Sequence, residues 1–166
     1  NADTINTRNE FKALAANCRI QFYLAEKEGV KGITRTFTAH GPFFNDDLHV
    51  TERGGKSAWD AQKYLNVWIA PLASGLFGYG TAPGTPGFRD GAAVHVEYFG
   101  RHENAVAPYN LGRTLTHEIG HWLGLQHPWG TDGCNSDDGL ADTPAQEGPT
   151  YGCAVNQFSC GALNMV

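Results

Sequence analysis

The chain has 166 residues, 41% of them hydrophobic, with a formal net charge of −5 and a pI of about 5.7. That length suits one domain with a sizeable core, and the scattered acidic excess offers no basic face for nucleic acid or anionic lipid. No apolar run approaches a membrane span, and the opening NADTINTRNEFKAL lacks the regions of a signal peptide, so the expectation is a soluble domain whose targeting segment has been removed.

Along the chain, Phe11, Leu14 and Ala15 are spaced for a short helix, after which RIQFYLA alternates Ile20, Phe22 and Leu24 as a buried-face strand does. Residues 26–63 are polar and glycine-punctuated and read as loops, with one short helical turn near Ala58. KYLNVWIAPL sets Leu65, Val67 and Ile69 against Tyr64 and Trp68, a strand apolar on both sides and therefore expected to be central. GLFGYGTAP follows; because glycine and proline are tolerated at sheet edges, Gly78 to Ala82 is the expected edge strand. AAVHVEYF alternates Val94, Val96 and Tyr98 as a further strand. In YNLGRTLTHEIGHWLGLQH, Leu111, Leu115, Ile119, Trp122 and Leu123 then recur at helical spacing. From Pro128 onward the sequence is irregular and rich in cysteine, glycine and aspartate.

The helix carries the chemistry. His117 and His121 lie one turn apart on a common face, about 6 Å along the axis, close enough to share one ion. Glu118 is rotated by about 100° from His117, so its carboxylate stands beside the ion and can take a proton from water. Gly124 sits where the helix must stop for the chain to swing round, and His127 would then complete three neutral nitrogen ligands of an open zinc site. The pattern HExxHxxGxxH is far more specific than HExxH alone. Two alternatives remain at this point: Glu147 in place of His127 as third ligand, and a non-catalytic module that holds zinc structurally. His40, His49, His95 and His102 show no paired spacing and read as exposed or hydrogen-bonded structural residues. Four cysteines (Cys18, Cys134, Cys153, Cys160), three of them after the motif, suggest disulfides and an oxidising compartment rather than reduced buried thiols.

That motif, with YNLGRTLTHEIGHWLGLQHPWG, DDGLADTPAQEGPTYGC and, upstream, IQFYLA, YLNVWIA, FGYGTAP and DGAAVHVEYFG, resembles the pappalysin family of metzincin metallopeptidases, in particular its cytophagalysin-like secreted members. The resemblance covers most of the chain. It implies a secreted zinc endopeptidase acting on proteins and peptides, with Glu118 as general base. The implied fold is an α/β (α+β) catalytic domain: a twisted, mostly parallel sheet with an antiparallel edge strand, an active-site helix and an irregular C-terminal lobe. Residues 1–124 would form the upper subdomain of a single domain, and 125–166 part of the lower one. It also implies that Gly78, Tyr79, Gly80, Thr81 and Ala82 bind the substrate strand, and that Asp138, Thr143 and Glu147 hold a structural calcium ion. It pairs Cys134 with Cys160 and sends Cys153 to a partner past Val166; pairing of Cys153 with Cys18 stays open. Members place a methionine-containing turn and a tyrosine beneath the zinc. This chain ends in NMV, so Met165 is that methionine or a residue just upstream of it, and the sequence reads as a fragment truncated at both ends.

Overall fold

The computed structural model describes residues 7–151 and 156–164, so Cys153 and Met165 lie outside the described residues. The chain divides into two units, Leu24–Leu125 and, separately, Asn1–Tyr23 with Gln126–Val166.

The first unit opens with a small antiparallel hairpin, β1 (Glu26–Lys27) and β2 (Val30–Lys31), in the region expected to be loop. Glu28 and Gly29 both have positive φ (52° and 77°), as a two-residue hairpin turn of matching twist requires. Two 3-10 turns follow, Asn45–His49 and Thr51–Arg53. The helical turn expected near Ala58 is absent; a hydrogen-bonded turn forms instead where Lys63 and Tyr64 donate to the Asp60 carbonyl.

Among the described residues, the main sheet has three strands in the order β3 (Asn66–Ala70), β5 (Gly91–His95), β4 (Gly78–Gly80). β3 runs parallel to β5 and β4 antiparallel to it, giving a mixed sheet with an antiparallel edge strand. The central strand is therefore β5, not β3 as its two-sided apolar pattern suggests. Val67 and Ile69 of β3 are substantially exposed, whereas Ala92, Ala93 and Val94 are at most 1% accessible. Small side chains let both neighbouring layers close onto β5. This strand also stops at His95, and Val96–Tyr98 continues as a 3-10 turn, so Val96 and Tyr98 are not strand positions.

Pleat parity sorts the side chains. Trp68, Ala93 and Tyr79 are register partners and share one face, where Phe43, Leu48, Ala70 and Leu72 complete the core. Burying the Trp68 ring stabilises the sheet by roughly 2–3 kcal/mol, and its indole N–H donates to the Lys56 carbonyl at 2.7 Å. Gly78, Gly80, Ala92 and Val94 share the opposite face, which receives α1 (Arg113–Trp122). α1 begins at Arg113, later than the apolar spacing from Leu111 suggests, because Gly112 is left-handed at φ 75° and breaks the helical run. On the helix, Leu115, Ile119 and Trp122 are half-buried, and the Trp122 indole donates to Asp90 at 2.6 Å.

The second unit contains a 3-10 helix over Asn9–Leu14, an irregular run after Gln126, and a two-stranded hairpin, β6 (Phe158–Ser159) with β7 (Ala162–Leu163). Cys134 and Cys160 are joined by a disulfide with 5.2 Å between Cα atoms, while Cys18 is a free, exposed thiol. The strand expected from RIQFYLA does not form: Ile20, Phe22 and Leu24 are at least half exposed, and no strand pairs with that segment among the described residues. Alternation marks a strand only where a neighbour supplies the ladder.

Gly91 is the tightest point within the β3–β5 pairing. Its φ is +148°, and a Cβ there would lie 2.1 Å from the Asn66 carbonyl oxygen and 2.9 Å from the Trp68 ring. Gly91→Ala is expected to lower unfolding free energy by about 2–4 kcal/mol, read as a reduced urea midpoint at unchanged m-value.

Candidate active site

The site is built on the contact between α1 and β4. Hydrogen bonds from the His95 amide to the Phe77 carbonyl (2.8 Å) and from the Thr81 amide to the Gly91 carbonyl (3.0 Å) bracket the β4–β5 pairing. Phe77 and Thr81 thus bond inward to β5, and alternation turns the N–H and C=O groups of Gly78 and Gly80 toward the open edge. Both glycines also admit the helix. A Cβ on Gly80 would stand 2.0 Å from the Glu118 carbonyl oxygen, and one on Gly78 would stand 2.9 Å from the Glu118 side-chain oxygen.

Pressed against this strand, Glu118 is only 6% accessible. Burial raises its pKa above the ordinary carboxylate value; His121 and the Gly80 amide, which donates to the carboxylate, pull the other way. The result is a carboxylate with increased proton affinity, the property a general base working near neutral pH would need.

His117 and His121 flank it. Their rings are 4.6 Å apart and nearly perpendicular, with the two Nε2 atoms 3.0 Å from each other. Two nitrogens bound tetrahedrally to one zinc at about 2.0–2.1 Å would be roughly 3.3 Å apart, so the pair fits a shared ion. The Nδ1 of His121 lies 2.8 Å from the Leu125 carbonyl. A carbonyl only accepts, so Nδ1 carries the proton and Nε2 is left with the lone pair that a metal ion would need. The pKa of His117 is lowered, first by burial and then by His121, which favours the neutral, ligating form.

The helix ends in a Schellman arrangement. Gly124, at φ 96°, donates to the His121 carbonyl and Leu125 to that of Gly120, each at 2.9 Å. The same turn that stops the helix therefore delivers the carbonyl that orients His121. His127 belongs to the second unit, where its ring stacks on Trp129 with centroids 4.4 Å apart. There too, the Thr143 hydroxyl lies 2.8 and 2.7 Å from the two Asp138 carboxylate oxygens. Glu147 is exposed and donates its amide to Ser159 at 3.1 Å.

On its other face β4 carries Tyr79, whose hydroxyl is 2.8 Å from Nε2 of His49. His49 is 3% accessible and meets the Trp68 ring edge-on at 4.3 Å. Burial lowers the His49 pKa and raises that of Tyr79 to about 12. His49 is invisible to spacing arguments, because its partner lies thirty positions away. Of the other residues tied to the substrate strand, Thr81 binds Gly91 through amide and hydroxyl, and Ala82 lies past the end of β4 and is exposed.

A family model described as pregnancy-associated plasma protein-A, peptidase M43, matches residues 50–165. The chain belongs to the pappalysin family. Pappalysin relatives include an extracellular metalloprotease of Colletotrichum graminicola, 42% identical over 133 residues that cover 76% of this chain and 46% of the relative. Extracellular metalloprotease 1 of Coccidioides posadasii is 41% identical over 153 residues, covering 79% and 54%. Mature mirolysin of Tannerella forsythia, solved in complex with a cleaved peptide, superimposes with a TM-score of 0.90 at 40% identity, over 99% of this chain and 65% of mirolysin. The chain thus spans about half the length of the curated relatives it matches, and its fold is that of a metzincin catalytic domain. No helix among the described residues is long and apolar enough to cross a membrane.

The buried His49 makes stability depend on pH. Its pKa is lower in the fold than the 6.5 of the free side chain, so in that interval the unfolded chain binds more protons and stability falls as pH drops below 6.5. Thermal unfolding of wild type against His49→Gln, which cancels the contributions of other groups, should show a shallower decline for the variant between pH 6.5 and 5.

Proposed function

We propose that the protein of which this chain is part is a secreted, zinc-dependent endopeptidase that cleaves peptide bonds in protein and peptide substrates. The observation that carries the reading is the buried Glu118 set between two convergent histidines and the open edge of β4. His127, at its motif offset after Gly124, would join His117 and His121 as the third imidazole donor, and three neutral nitrogens are the ligand set of an open catalytic zinc site. Zinc held there supplies Lewis-acid polarisation of the scissile carbonyl and brings the pKa of a water down to about 7.

The chain's own groups do the rest. The main-chain groups of Gly78 and the Gly80 carbonyl line the open edge along which an extended peptide adds as a further strand, while the Gly80 amide is held by Glu118. That alignment lays the scissile bond beside α1, where Glu118 takes the proton of the attacking water and then gives it to the leaving amine. Secretion is supported by relatives named extracellular metalloproteases and by the disulfide between Cys134 and Cys160. A structural calcium ion held by Asp138, Thr143 and Glu147 is supported by oxygen donor chemistry and by the contact of the first two side chains.

Glu118→Ala should leave bound zinc at the wild-type level by metal analysis while lowering kcat/KM on a denatured protein by about 10²–10⁴-fold; proteolysis retained with intact zinc would exclude Glu118 as the base. His127→Ala should lose most of the zinc and Glu147→Ala none, the reverse result assigning the third ligand to Glu147.

A further inference from the structure

β4 has two faces, and the site described above uses only the one toward α1. On a peptide paired along its open edge, the residues opposite Gly78 and Gly80 project toward Glu118. The residue opposite Tyr79 projects to Tyr79's side of the sheet. That side holds a cleft of about 460 Å³, lined by Tyr79 and Thr81, by Leu72 and Leu76 from the segment between β3 and β4, and by Asp46 and Arg89. Such a volume lies in the range of small-ligand sites, so the chemistry of the wall, not its size, sets what it takes.

The charges of that wall are already paired and its main hydroxyls held, although the buried Nε of Arg89 has no hydrogen-bond partner. Arg89 and Asp46 pair with each other at 3.1 Å, the Tyr79 hydroxyl is held by His49, and the Thr81 hydroxyl donates to the Gly91 carbonyl at 3.0 Å. A charged occupant would be taken out of water with no free counter-charge, which is unfavourable. An apolar one gains contact with Leu72, Leu76 and the Tyr79 ring. Leu76 is 46% accessible although it lines a concave surface, so its side chain has apolar area left to cover.

We propose that this cleft is a selecting subsite for a bulky, uncharged apolar side chain, aliphatic or aromatic, at the substrate position paired with Tyr79. The proposal rests on the peptidase reading and adds to it a preference set on the face of β4 away from the zinc. Leu76 would be its main adjustable wall, since Leu72 is also part of the core.

The zinc-loaded full-length protein is assayed on peptides varied one position at a time, alongside Leu76→Ala and Leu76→Lys. One position should favour Leu or Phe over Asp and Lys by about tenfold or more in kcat/KM. Leu76→Ala should weaken that preference and Leu76→Lys shift it toward Asp and Glu, with the other positions unchanged. Binding of the same peptides to the zinc-loaded Glu118→Gln protein, by fluorescence anisotropy, should give the same rank order without turnover. If all three proteins share one profile at every position, the subsite is wrong while the peptidase reading stands. If no peptide is cleaved and none binds, the peptidase reading has failed and the subsite with it.

Discussion

The structure turns on how closely a helix can approach a strand. Two glycines, Gly78 and Gly80, two residues apart and therefore on one face of β4, remove the side chains that would hold α1 away. Everything chemical follows from that approach. It excludes water from Glu118 and raises its pKa, it directs the Gly80 amide to the carboxylate, and it sets His117 and His121 beside a strand edge whose remaining main-chain groups face the same way. A site assembled from two backbones in contact has little freedom to drift, which is what catalysis by positioned groups demands.

The opposite face of the same strand is fixed differently. Tyr79 reaches into the layer of Phe43, Leu48 and Trp68 and is held by the buried imidazole of His49. One face of β4 is thus defined by missing side chains and the other by a large one with a polar tip. β5 carries the load between them, with Ala92, Ala93 and Val94 inaccessible to solvent. Burial on both sides perturbs ionisable groups in opposite senses: the acids Glu118 and Tyr79 hold their protons more tightly, and the bases His117 and His49 more weakly. In each case the leading cause is loss of water, not a neighbouring charge.

What the sequence disclosed depended on the range over which its signals act. The helix, its two histidines, the adjacent glutamate and the glycine that ends the run are set by local periodicity and by the backbone demands of single residues, and they could be read directly. The edge position of GYG could also be read, because glycine and proline are poor central-strand residues. Strand neighbours could not. KYLNVWIAPL looks central from its composition, yet β5 takes that place because its small side chains permit close layers on both faces. RIQFYLA has an ideal alternation and no ladder among the described residues. The hydrogen bond of His49 to Tyr79 joins segments thirty positions apart, and no spacing rule reaches that far. Gly78 and Gly80 carried a further signal that goes unused when they are read only as edge markers: glycine inside a strand also marks close backbone approach.

The alternation of small and large along Gly78-Tyr79-Gly80 has a last consequence, for folding. Short, glycine-rich strands are usually weakly specified in register, because few side chains distinguish one alignment from the next. Here a slip by one residue would drive the tyrosine ring into the helix backbone and leave the His49 pocket facing a hydrogen atom. Misalignment is rejected by collision on one side and by an unfilled polar cavity on the other. The strand that would receive substrate therefore proofreads its own alignment before any substrate arrives.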